Sequence, residues 1–175
     1  MLDYLNASWT AFHAVEEGKK MLVADGYVEI LERDSWQLAA GGKYFFTRNM
    51  STLVAFAVGG KAAAGAGFTI VGAHTDSPCP KLKPISKLTK GGYLQLSVAG
   101  YGGGLWHTWY DRDLSVAGRV IVHKEGEPPK HQLVRIHRPI LRIPTLAVHL
   151  SRENGTASVQ VQLAVQVPAA ARDRS

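Results

Sequence analysis

Gly72-Ala73-His74-Thr75-Asp76-Ser77-Pro78-Cys79-Pro80 is the stretch that decides how the chain reads. It follows directly on the apolar run Phe68-Thr69-Ile70-Val71, which has the composition of a strand buried on both faces. It also marks a change of character. A helix and apolar extended runs precede it, and a region rich in Val, Ile, Tyr and Thr with almost no helical periodicity follows it. The reading is an α/β fold: a first lobe over residues 1–78, a β-rich second lobe over residues 79–167 and a frayed tail over residues 168–175.

Upstream, Phe12, Val15 and Leu22 share one helical face, Ser8 or Thr10 can cap the helix, and Gly26 can stop it. Extended runs are expected over residues 27–31, 43–48 and 52–58, the last almost wholly apolar. The small-residue turn from Gly59 to Gly67 would then join residues 52–58 to residues 68–73 as a hairpin inside a central sheet. Downstream, extended runs are expected over residues 93–98, 114–123, 132–137 and 145–150. Pro80, Pro84, Gly91 and Gly92 make the lysine-rich stretch between them read as a loop.

Composition narrows the function classes. The 175 residues are 46% hydrophobic and 19% charged, which is not a disordered composition. No apolar run is long enough to span a bilayer, so no membrane partner is expected. The start, Met1-Leu2-Asp3-Tyr4, does not read as a secretory signal, and the lone Cys79 fits a reducing, cytoplasmic setting. A net charge of +6 invites a nucleic-acid reading. The cations gather as Lys81, Lys83, Lys87 and Lys90, and as Lys130, Arg135, Arg138 and Arg142, but neither group sits in a nucleic-acid motif. Both read as solvated surface, and no nucleic-acid partner is expected.

The chemistry concentrates at His74 and Asp76. A histidine emerging at the carboxyl end of a strand lies where open α/β sheets bind ligands. Its neutral imidazole suits zinc, and Asp76 could accept the other ring N–H. Spacing alone leaves open that both merely satisfy a turn, since His-x-Asp is short and common. His13 reads as a packed helix residue, Asp111 and Asp113 around Arg112 as an Asp–Arg network, and Cys79 as a loop cysteine. His107, His123, His131 and His137 show no ligand spacing among themselves.

Longer motifs add a resemblance. Ser8-Trp9-Thr10-Ala11-Phe12-His13-Ala14-Val15 resembles the opening helix of the M18 metalloaminopeptidases, the aspartyl aminopeptidase family. Lys43-Tyr44-Phe45-Phe46-Thr47-Arg48-Asn49, Ala55-Phe56-Ala57-Val58-Gly59-Gly60 and Gly72-Ala73-His74-Thr75-Asp76-Ser77-Pro78-Cys79 resemble its next blocks. Tyr101-Gly102-Gly103-Gly104-Leu105-Trp106, Thr108-Trp109-Tyr110-Asp111-Arg112-Asp113-Leu114 and Arg138-Pro139-Ile140-Leu141-Arg142-Ile143-Pro144 follow in family order.

The resemblance implies part of a zinc-peptidase-type α/β catalytic lobe, followed by a β-rich dimerisation lobe through which the protein forms homo-oligomers. It implies a two-metal, usually zinc, aminopeptidase that removes N-terminal Asp or Glu from peptides by metal-activated water. By position, His74 matches a metal ligand and Asp76 the carboxylate that orients it in the catalytic site. His149 matches a histidine that reaches the neighbouring protomer's active site and helps hold substrate. The family's other ligands and its general-base Glu lie beyond the segment matching residues 138–150. The chain is therefore expected to be the N-terminal part of a truncated member, inactive alone and marginally folded, or else a non-catalytic dimerisation partner.

Overall fold

The computed structural model describes residues 1–90 and 93–145, and describes residues 163–166 by their strand pairing. His149 and the tail of residues 168–175 lie outside these described residues, as does most of the run expected over residues 145–150. The fold is mixed α/β and divides into two units. One comprises Met1–Asp76 and Ala117–Val134, the other Ser77–Val116 and Arg135–Ser175. The hairpin within residues 117–134 thus groups with the N-terminal unit.

In the first unit a short helix α1 (Leu2–Ala7) precedes α2 (Ala11–Ala24). Thr10 is the cap of α2: its backbone is extended and its hydroxyl accepts the His13 N–H at 3.4 Å. Gly26, at φ +80°, takes the left-handed turn that follows the helix. Three strands form one sheet in the order β1 (Val28–Glu29), β2 (Lys43–Arg48), β3 (Thr52–Ala57). β1 runs parallel to β2 and β3 antiparallel to it. Helix α2 comes so close to β3 that a Cβ on Gly18 would lie 2.8 Å from Leu53 Cδ2. Val15 and Phe45 are fully buried. Tyr44 and Phe56 pair across the strands at 5.7 Å, and Trp36 covers Phe46 and Phe56 at 5.4 and 5.9 Å.

The β2–β3 reversal places Asn49 and Met50 both at positive φ, 51° and 57°. That geometry suits the twist of a hairpin but strains a residue such as Met. It is braced from far away in the chain. Arg119, on β6 (Ala117–Val122), donates through Nη1 to the Asn49 carbonyl at 2.9 Å and to its Oδ1 at 2.8 Å. The same guanidinium lies 4.4 Å over the Phe12 ring of α2. Strand β6 pairs with β7 (Lys130–Arg135) in a two-stranded sheet.

In the second unit β4 (Cys79–Lys90), β5 (Tyr93–Tyr101) and β8 (Leu163–Gln166) form an antiparallel sheet in that order. A 3-10 turn at Trp106–Trp109 follows β5. The core is Val98, Leu141 and Ile143, with Leu96, Trp109, Tyr110, Leu114, Val116 and Ile140 packed against it.

The structure corrects the sequence reading in four places. Residues 68–73 form no strand and pair with none of the described residues. The glycine-rich segment before them holds two successive turns, closed by Ala62 N–H on the Gly59 carbonyl and Ala66 N–H on the Ala63 carbonyl, in place of one tight reversal. An apolar run pairs only where a partner exists, and among the described residues β3 pairs with β2 alone. Residues 52–58 accordingly are not buried on both faces: Val54 and Ala55 are exposed, and Leu53 and Phe56 only half-buried. The lysine-rich stretch, read as a loop, is strand β4. Its prolines are tolerated because, among the described residues, β4 is an edge strand with a bulge between Leu82 and Lys87.

Candidate functional site

His74 follows the unpaired run of residues 68–73 and is exposed, while Thr75 and Asp76 are half-buried. Its Nδ1 lies 2.7 Å from the Asp76 main-chain oxygen. A carbonyl only accepts, so Nδ1 carries the proton, and in the neutral imidazole Nε2 keeps its lone pair. Metal-ligating histidines are held in this way, one ring nitrogen on an oxygen and the other turned to the ion. The oxygen that meets His74 Nδ1 is thus the Asp76 main-chain carbonyl.

Zinc chemistry needs more than this. A catalytic zinc takes three protein ligands and a water. Among the described residues no three His, Cys, Asp or Glu side chains gather around one point. The described residues therefore do not complete a zinc site, and what they offer one is the Nε2 lone pair of His74.

The remaining candidates have other work. His13 Nδ1 lies 2.8 Å from the hydroxyl of the capping Thr10, part of the helix start. Cys79 is half-buried in β4, opposite Tyr101. Lys81 lies 3.5 Å over the Tyr101 ring, and Lys130 pairs with Glu127 at 2.6 Å. The Asp–Arg network exists, but its arginine is Arg142. Arg142 donates to the Asp111 carbonyl at 3.0 Å and stands 3.8 Å from the Asp113 carboxylate.

Sequence reasoning missed the partner of the Asp111 carboxylate. Asp111 sits at φ +52°, and Oδ1 accepts the Thr145 N–H at 3.1 Å while the Thr145 hydroxyl donates to Oδ2. These bonds, the hydroxyl first, then the amide and more weakly Arg142, lower the carboxyl's pKa below its ordinary 3.8. A lowered folded-state pKa contributes stability above the ordinary value, lost as the pH falls through the folded value. Asp111→Asn is therefore expected to lower the melting temperature at neutral pH. The gap from the parent chain should close below pH 3.8. Thermal melts across that range check this, and a gap that does not change with pH would remove the role from the carboxylate charge.

Residues 4–169 match the family model described as "Aminopeptidase I zinc metalloprotease (M18)". The chain belongs to the M18 family. Among its relatives, a probable aspartyl aminopeptidase of Ricinus communis is 60% identical over 164 residues, 92% of this chain and 33% of that protein. A solved complex of Ape4 and Nbr1 superposes with a TM-score of 0.88 at 41% identity, covering 99% of this M18 chain and 35% of the matched one. The mApe1 dodecamer of Saccharomyces cerevisiae superposes at 0.78 with 33% identity, covering 94% and 36%. This M18 chain thus spans about a third of the length of the relatives it matches.

Proposed function

We propose that this M18 chain supplies the first ligand segment of an aminopeptidase that removes N-terminal Asp or Glu from peptides. The observation that carries the reading is the His74 tautomer: with Nδ1 tied to a carbonyl, Nε2 is presented as a ligand would be. The family description and the relatives named for aspartyl aminopeptidase activity support it. His74 holds zinc in a pair of metals, Asp76 assists it, and His149 serves substrate in the neighbouring protomer. The protein works as a homo-oligomer assembled through its β-rich part, in the cytoplasm. An mApe1 dodecamer among the structural relatives favours such assembly.

Among the described residues no three side chains gather that could hold a metal ion, which supports a 175-residue chain that is inactive alone. That same deficit favours a second reading, in which the chain is a non-catalytic partner that joins longer M18 subunits. An Asp-anilide assay tests both. The chain alone should neither hydrolyse the substrate nor bind zinc below micromolar in calorimetry. A single polypeptide continuing this chain with the C-terminal two thirds of the Ricinus communis relative should do both. Hydrolysis by the chain alone would overturn the first reading. A continued, zinc-loaded polypeptide that releases only neutral residues would overturn the substrate assignment.

A further inference from the structure

The loop after β3 sets a single cation among glycines and alanines. Residues 58–78 form neither helix nor strand, and Gly59 to Gly67 are exposed throughout. Lys61 is the one charged side chain between Gly59 and Gly67. The backbone bonds that shape this loop are local turns, Ala62 N–H to the Gly59 carbonyl and Ala66 N–H to the Ala63 carbonyl, both 3.0 Å. Such a segment is drawn out with little resistance, and exposed loop tips of small residues are where endopeptidases nick folded chains.

An endopeptidase with an acidic specificity pocket cuts after lysine or arginine, so every cation is a candidate. Proline after the cation blocks the cut, and an acidic residue there slows it. Among the described residues, the cations of α2, β2, β4, β6 and β7 are held in regular structure. Outside those elements Arg33, Arg112 and Lys124 precede Asp34, Asp113 and Glu125, and Arg138 precedes Pro139. Arg142 precedes Ile143, which is only 4% exposed, and its guanidinium is held by Asp111 and Asp113. Lys61, followed by the small and neutral Ala62, is the exception.

We propose that the Lys61–Ala62 bond is a processing site for a trypsin-class endopeptidase. Water adds across the amide: the C–N bond breaks, the hydroxyl goes to the Lys61 carbonyl carbon and the proton to the Ala62 nitrogen. The bond lies between β3 and His74, so one cut divides the N-terminal helices and sheet from the proposed metal ligand. The site rests on the loop and its cation, and stands whether or not the aminopeptidase reading holds.

The test treats the whole 175-residue chain with a small amount of trypsin and follows the products by mass and N-terminal sequencing. Of the cuts within residues 1–145, the first should release a piece of residues 1–61 and a new N-terminus at Ala62. Lys61→Gln should delay the first cut in that span by about tenfold or more, because the remaining cations are reached only after the structure opens. Lys61→Arg should keep the parent time course, and Arg33→Gln should leave it unchanged. A first cut after Arg33, Lys90, Arg112 or Lys124, or an unchanged time course in Lys61→Gln, would overturn the proposal. So would cutting spread evenly over residues 1–145, which would put the whole span, and not one loop, within the protease's reach.

Discussion

His74→Ala, in a polypeptide continuing this chain with the C-terminal two thirds of an M18 relative, is expected to reduce hydrolysis of an Asp-anilide to background. Zinc content should fall with it, because a catalytic zinc with three protein ligands does not tolerate the loss of one. Asp76→Asn should be milder, lowering activity or zinc affinity by roughly 10–100-fold, the usual scale for residues that support a ligand. It leaves the main-chain carbonyl in place, and with it the 2.7 Å contact to His74 Nδ1. Any loss in Asp76→Asn therefore belongs to the carboxylate. Metal analysis beside the kinetics separates the two variants, and full activity with retained zinc in His74→Ala would end its assignment as a ligand.

The second large effect concerns His149, which lies outside the described residues. In the continued polypeptide His149→Ala should lower kcat by about 10²–10³-fold, as loss of one donor to a developing oxyanion does. Zinc content should hardly change. Because His149 is proposed to serve the neighbouring protomer, mixing His149→Ala and His74→Ala subunits should restore part of the activity. One site of each mixed dimer then draws both histidines from unaltered copies. Mixed dimers that form and stay inactive would show that His149 does not act across the interface.

Elements whose signals are local were legible from the sequence. Helix α2 begins at a threonine cap and ends before Gly26 because both devices act within a turn of the residue that carries them. Strand β2 was legible too, because Tyr44, Phe45 and Phe46 suit a pleated, half-buried surface. Residues 68–73 were misread for the opposite reason. Their composition is that of a strand, but strand formation depends on a neighbour that composition does not reveal. The prolines of β4 misled in the same way, since a proline excludes a central strand and not an edge one.

At the site, His74 stood out by its place after an apolar run, and the carbonyl that fixes its tautomer did not. Any residue type at position 76 would present that oxygen, so no side chain announces it. The Asp111–Thr145 clamp was hidden by distance along the chain. Asp111 drew attention through its neighbours Arg112 and Asp113, while the groups that hold its carboxylate arrive with residue 145.

The brace from Arg119 to Asn49 and Phe12 sets a timetable for synthesis. When residue 76 leaves the ribosome, the helix and its three strands are all present, but the guanidinium that steadies the Asn49-Met50 reversal is not. It follows roughly forty residues later, a delay of about 2–8 s at translation rates of about 5–20 residues per second. Through that interval the nascent chain displays Phe68, Ile70 and Val71 with its own N-terminal unit unfinished. A ribosome-bound chain stalled once residue 100 has emerged should therefore recruit a hydrophobic-binding chaperone more strongly than one stalled after β7 has emerged. Part of that recruitment should persist once β7 has emerged, because finishing the hairpin completes the brace and leaves the apolar run in water.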